Sequence, residues 1–189
     1  MPEPVIVVSG LPRSGTSLAM QMIHAGGIPA VTDGERTSDE DNPRGYFEFE
    51  KVKQLKTDKS WLADAGGKVV KVIHLLLTEL PDDRPYRVVF MRRDLREVVK
   101  SQSVMLARSG RAGGGLAPER LISVYEQQLK AVEAWMAARP GFQRLDVPYA
   151  ELVAAPGDWV PRINAFLGGT LDEPAMLAAV DPSLHRNRA

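Results

Sequence analysis

Cysteine is absent from this 189-residue chain, which removes disulfides, thiolate nucleophiles and thiolate metal sites together and fits a reducing compartment. Histidine is scarce: only His24, His74 and His185 occur, and no His and carboxylate cluster has metal-ligand spacing, so no metal is expected. An excess of charge is missing too. The 24 basic and 24 acidic residues cancel, which argues against a protein that coats nucleic acid or an anionic membrane and makes any positive field a local one. No apolar run is long enough for a membrane span, and the opening Met1-Pro2-Glu3-Pro4 lacks the basic and apolar sections of a secretion signal. These absences predict a cytoplasmic protein, and the length and apolar content predict one domain over residues 1–189.

Strand and helix patterns alternate along the chain. Val5 to Val8 form an unbroken β-branched run, as in a parallel strand covered on both faces, and Leu18, Ala19, Met22 and Ile23 follow at helical spacing. Thr32 to Gly45 is charged and turn-rich, and a helical segment is expected from about Phe47 to about Leu62. Lys68 to Ile73 and Arg87 to Met91 read as interior strands. Helical stripes follow in Leu95 to Leu106 and in Leu121 to Met136, then an edge strand around Leu145 and Val147 and a helix over Trp159 to Leu167. The order predicts an α/β fold, three-layer α/β/α with a central parallel sheet.

Between the first strand and helix lies Gly10-Leu11-Pro12-Arg13-Ser14-Gly15-Thr16-Ser17. Glycines let the chain turn sharply, so the amides of Ser14, Gly15, Thr16 and Ser17 are expected to line a concavity at the positive helix end, with hydroxyls and the Arg13 guanidinium as added donors. A plain strand-to-helix turn is the alternative; the added Arg, Ser and Thr favour a phosphate cradle. The spacing copies the common nucleotide-binding loop, yet Thr16 stands where that loop requires Lys, which weakens an ATPase or GTPase reading. Ligands of open α/β sheets bind beyond the strands' carboxyl ends, so Lys71 to His74 and Arg92-Arg93-Asp94 with Ser101 are expected to converge on the same rim. By itself Arg93 could equally be a helix-start cation paired with Asp94 or Glu97.

Two of these segments resemble motifs of the sulfotransferases that use 3′-phosphoadenosine 5′-phosphosulfate (PAPS). Leu11-Pro12-Arg13-Ser14-Gly15-Thr16-Ser17 is similar to the family's 5′-phosphosulfate loop, and Phe90-Met91-Arg92-Arg93-Asp94-Leu95-Arg96-Glu97-Val98-Val99-Lys100-Ser101 to its 3′-phosphate motif. Weaker similarity to the small bacterial branch runs through Asn42 to Glu48, Pro148 to Val153 and Phe166 to Gly169. The resemblance implies a P-loop NTPase-like sulfotransferase fold. It implies PAPS as donor, adenosine 3′,5′-bisphosphate as product, and Arg93 and Ser101 on the 3′-phosphate. Leu18 departs from the Trp that better-known cytosolic members place after the loop, and their later glycine-rich basic segment has no clear counterpart. Ser109 to Gly115 reads as a linker or lid, and Arg186 or Arg188 as further 3′-phosphate candidates.

With that donor, Arg13 and Lys71 would stabilise charge on the leaving nucleotide while Ser14, Thr16 and Ser17 orient the phosphosulfate. Glu48 and His74 compete as the base for the acceptor, a hydroxyl or amine of a small molecule, glycan or lipid, with Glu48 preferred and Val31 to Tyr46 bordering that site. The competing functions are a P-loop small-molecule kinase using ATP and magnesium, and a non-catalytic nucleotide-binding module.

Overall fold

The structure, a computed structural model, describes residues 3–33, 47–108 and 116–181. Four strands, β1 (Val5–Gly10), β2 (Val69–Lys71), β3 (Tyr86–Arg92) and β4 (Phe142–Pro148), form one all-parallel sheet in the order β2-β1-β3-β4. β1 occupies an interior place, with Val8 opposite Lys71 on one side and Gly10 opposite Met91 on the other. Every β1 residue is buried, which is why its β-branched run carries no polar alternation.

Side chains two apart share a face, and the two faces make two cores. Ile6, Val8, Val89, Met91 and Val147 pack under α1 (Thr16–Ala25), α4 (Tyr149–Ala154), α5 (Pro156–Leu167) and α6 (Glu173–Ala178). Val5, Val7, Val70, Val88 and Phe90 pack on the other side with Trp61, Leu62 and Leu77, under Val132 and Met136 of α3 (Pro118–Ala137). α2 (Leu95–Arg108) lies against α3. Each fully buried large side chain contributes about 1.5–3 kcal/mol, so the sheet is fixed from both sides before any loop is considered. The layers are therefore the α/β/α sandwich that the alternating pattern predicts.

Two expectations are corrected. The helix expected over Phe47 to Leu62 is instead irregular chain followed by two short 3-10 turns, Glu50–Gln54 and Ser60–Asp64. Phe47 has φ 49 and Phe49 is extended, while Asp58 accepts from the Ser60 amide at 2.9 Å, so the chain is broken at both ends of the polar stretch that imitated a helix. Lys68 to Ile73 is not an interior strand: β2 stands at one end of the sheet, with the β-branched character explained by a cover on its outer side. There Val69 donates to the Pro29 carbonyl at 2.9 Å and accepts from Val31 at 2.8 Å. Pairing reaches slightly past the strand, since Lys68 accepts from Ile6 and Val72 donates to Val8. Among the described residues no helix is long and apolar enough to cross a membrane.

Candidate active site at the carboxyl rim of the sheet

The turn after β1 needs glycine at two places. Gly10 (φ 147) would bring a Cβ to 2.8 Å from the Met91 carbonyl, and Gly15 (φ 101) would bring one to 2.4 Å from the Tyr149 ring. Arg13, between them, has φ 72, a left-handed conformation that costs a non-glycine residue roughly 1–2 kcal/mol. Neighbouring elements hold it there. Its carbonyl accepts from Arg93 Nη1 at 3.0 Å, its own Nε donates to Ser101 Oγ at 3.0 Å, and Gln102 Nε2 donates to the Pro12 carbonyl at 3.1 Å. The Arg13, Arg93 and Ser101 positions singled out in the sequence are therefore in direct contact, although 80 or more residues separate Arg13 from the other two.

Ser14 differs from expectation. Its amide donates to the Leu11 carbonyl at 3.1 Å, closing the turn rather than lining the concavity. The amides of Gly15, at the start of α1, and of Thr16 and Ser17, in its first turn, meet no acceptor among the described residues, and no side chain caps the helix. Ser14 Oγ is buried without a hydrogen-bond partner. Thr16 and Ser17 are half-buried.

Arg93 follows β3 and is almost enclosed, with 7% of its side chain exposed. Its Nε pairs with Glu97 Oε2 at 2.8 Å, one helical turn on, so the ordinary helix-start ion pair is realised together with the bond to Arg13. The guanidinium carbon stands 4.7 Å from the centre of the Tyr149 ring. Burial pushes the Tyr149 hydroxyl up; the Arg93 and Arg13 charges oppose that shift and Glu97 adds to it. Adjacent Arg92 points elsewhere, into a lattice of ion pairs with Glu133 at 2.6 Å and Asp146 at 2.8 Å.

On the β2 side, Lys71 and Glu48 come together with Nζ and Oε1 3.6 Å apart. Lys71 is the more buried, at 9% against 24%. His74 starts the 3-10 turn His74–Glu79 and is 2% exposed. Its Nε2 lies 2.9 Å from Gln128 Oε1 of α3, and Nδ1 is buried. Burial lowers its pKa, against the Gln128 amide and the Gly10 backbone, which favour the protonated ring.

Sequence reasoning missed Tyr149, Gln102 and Gln128. Tyr149 was within reach, because it is the first residue beyond β4 and the rule that ligands gather at strand carboxyl ends applies to it as to Arg93. Gln102 and Gln128 act by tertiary contact alone and carry no local signal. The candidates Asn42 to Tyr46, Ser109 to Gly115, Arg186 and Arg188 lie outside the described residues, as does most of the stretch from Val31 to Tyr46.

Comparison with solved structures gives likenesses of fold. The sulfotransferase domain of the Synechococcus PCC 7002 olefin synthase has a TM-score of 0.59 at 14% identity, covering 97% of this chain and 86% of that one. Sulfotransferase STF1 from Mycobacterium tuberculosis H37Rv has a TM-score of 0.57 at 18% identity, covering 95% and 71%. Retinol dehydratase in complex with androsterone and inactive cofactor PAP has a TM-score of 0.52 at 16% identity, covering 95% and 64%. No curated protein sequence matches. Residues 30–173, well over half of the chain and wholly beyond the Gly10 to Ser17 turn, match the model of the Sulfotransferase family. The chain belongs to the sulfotransferase family.

Proposed function

We propose that the protein transfers a sulfuryl group from PAPS to a hydroxyl or amine of a small-molecule, glycan or lipid acceptor. The observation that carries this reading is the contact of Arg13 with both Arg93 and Ser101, which joins two anion-binding segments at one rim. A donor phosphorylated at both its 5′ and 3′ positions calls for two such segments side by side, whereas a nucleoside triphosphate does not. The local chemistry fits. Unpaired amides of Gly15, Thr16 and Ser17 and the buried, unpartnered Ser14 hydroxyl suit the 5′-phosphosulfate. Arg93 and Ser101 suit the 3′-phosphate. The PAP named with the retinol dehydratase structure is in keeping with that assignment.

PAPS supplies an activated sulfuryl group whose S–O bond to the 5′-phosphate breaks as the acceptor oxygen or nitrogen bonds to sulfur. This chain's part is to orient that group, to meet the charge that builds on the departing phosphate with Arg13 and Lys71, and to take the acceptor's proton. Glu48 suits the last task. Its carboxylate is partly exposed beside Lys71, whereas His74 is enclosed with Nε2 committed to Gln128.

Thermal denaturation with adenosine 3′,5′-bisphosphate, compared with ATP plus magnesium, tests the donor. A native-state ligand at a hundred times its dissociation constant adds about 2.7 kcal/mol, so the bisphosphate is expected to raise Tm markedly. Stabilisation by ATP with magnesium alone would replace this reading by the kinase one. Binding of the bisphosphate without any turnover of PAPS would leave a non-catalytic module.

A further inference from the structure

Glu48 belongs to no helix or strand, yet its backbone is fastened on every side. Phe47, at φ 49, packs against the α1-side core with its ring 5.7 Å from that of His24, while Phe49 packs against the opposite core, edge-on to Trp61 at 5.4 Å. The two flanking rings thus straddle the sheet and leave Glu48 across its end, beside Lys71. Between them the Glu48 carbonyl accepts two hydrogen bonds, from Thr32 Oγ1 at 2.9 Å and from the Asp33 amide at 3.4 Å. The Asp33 carboxylate then takes the Glu50 amide at 2.6 Å, holding the start of the next turn. Thr32 and Asp33 are themselves set by the Pro29 to Val31 cover on β2, the strand that ends in Lys71. The carboxylate and its cation are in this way referred to the same strand.

Taking Glu48 as the proton acceptor, as read above, we propose that Thr32 and Asp33 are its positioning residues: the pair clamps the Glu48 main chain so that its carboxylate faces the acceptor. Neither residue touches the reacting atoms in this scheme. Loss of the clamp lets Glu48 drift relative to Lys71, and misplacement of a base by about 1 Å lowers turnover without altering how the donor is held.

The test uses water as the acceptor. Slow hydrolysis of PAPS forms a bond from the water oxygen to sulfur, breaks the bond from sulfur to the 5′-phosphate oxygen and passes a water proton to Glu48; release of adenosine 3′,5′-bisphosphate is the readout. Calorimetric affinity for the bisphosphate is measured in parallel. Thr32→Val is expected to lower kcat on the order of tenfold with KM for PAPS and bisphosphate affinity unchanged. Thr32→Ser is expected to restore kcat to within about twofold, because its hydroxyl still donates to the Glu48 carbonyl, and Asp33→Asn to show a smaller loss than Thr32→Val, because its backbone amide still donates to that carbonyl and its side-chain oxygen accepts the Glu50 amide in weakened form. On a Glu48→Gln background Thr32→Val should cost nothing more. An unchanged kcat in Thr32→Val, or an equal loss on the Glu48→Gln background, overturns the clamp. Full turnover in Glu48→Gln overturns the base assignment instead.

Discussion

Arg13 Nε donates to Ser101 Oγ across 3.0 Å, so the cation assigned to the leaving group and the hydroxyl assigned to the 3′-phosphate are each other's partners in the free protein. The hydroxyl accepts from Arg13 and keeps its own proton to donate, so an anion bound at Ser101 would extend this bond into a chain that links the two proposed ends of the donor.

Ser101→Ala removes the hydroxyl while leaving the turn's other tethers in place. A hydrogen bond to a charged group is worth about 1.5–3 kcal/mol, so affinity for adenosine 3′,5′-bisphosphate should fall at least tenfold. Adenosine 5′-monophosphate should bind with little change. Isothermal calorimetry with both nucleotides checks this, and an equal loss for the two would remove Ser101 from the 3′-phosphate.

Arg92 and Arg93 are neighbours with separate tasks. Arg93→Lys keeps the charge and loses the fork that meets both Glu97 and the Arg13 carbonyl, so bisphosphate affinity should drop by an order of magnitude. Arg92→Gln disturbs the Glu133 and Asp146 pairs and the stacking on Phe90, none of them at the Arg13 contact, and should leave affinity intact while lowering the denaturation midpoint.

Gly15→Ala meets the Tyr149 ring and a φ of 101 together, whereas Gly27→Ala meets a φ of 111 with open space around it. Backbone strain of roughly 1–2 kcal/mol is common to both, and overpacking adds roughly 1–3 kcal/mol to the first alone. Urea midpoints should therefore rank wild type above Gly27→Ala and Gly27→Ala above Gly15→Ala, with unchanged m values.

His74 titrates below its ordinary 6.5 when folded, chiefly through burial. The unfolded chain then binds more protons in the window from 6.5 down to the folded pKa, so stability falls as pH is lowered through that window and is unaffected by His74 above it. Subtracting the pH–stability curve of His74→Gln from that of the wild type should isolate this slope. The same variant should keep most of its PAPS turnover, while Glu48→Gln should lose about 10²–10⁴-fold.

Much of this arrangement could be read before folding. Val5 to Val8 and the Tyr86–Arg92 strand announce themselves because a strand covered on both faces has no room for polar residues. Arg13 and Arg93 were legible because strand carboxyl ends gather chemistry, and Ser101 through the resemblance of Phe90 to Ser101 to a known motif. The region from Phe47 was not, since Phe47 joins one core while Phe49, Val52, Leu55, Trp61 and Leu62 join the other, and spacing along the sequence cannot say which side of a sheet each will join. Ser14 was misjudged for a related reason: whether an amide closes its own turn or faces a ligand depends on one ψ angle, not on residue type. His74 and its Gln128 partner lie 54 residues apart, a pairing created only by α3 crossing the sheet.

The short cover that Pro29 to Val31 lays along β2 leads straight into Thr32 and Asp33. Peeling that cover away would bare the strand flank to foreign chains and slacken the grip on Glu48 in one event, at the cost only of the partly buried Ala30 and Val31 at the margins of the two cores. Inactivation should accordingly begin at denaturant concentrations where the bulk of the sandwich is still intact, so this sheet margin sets the working lifetime of the enzyme.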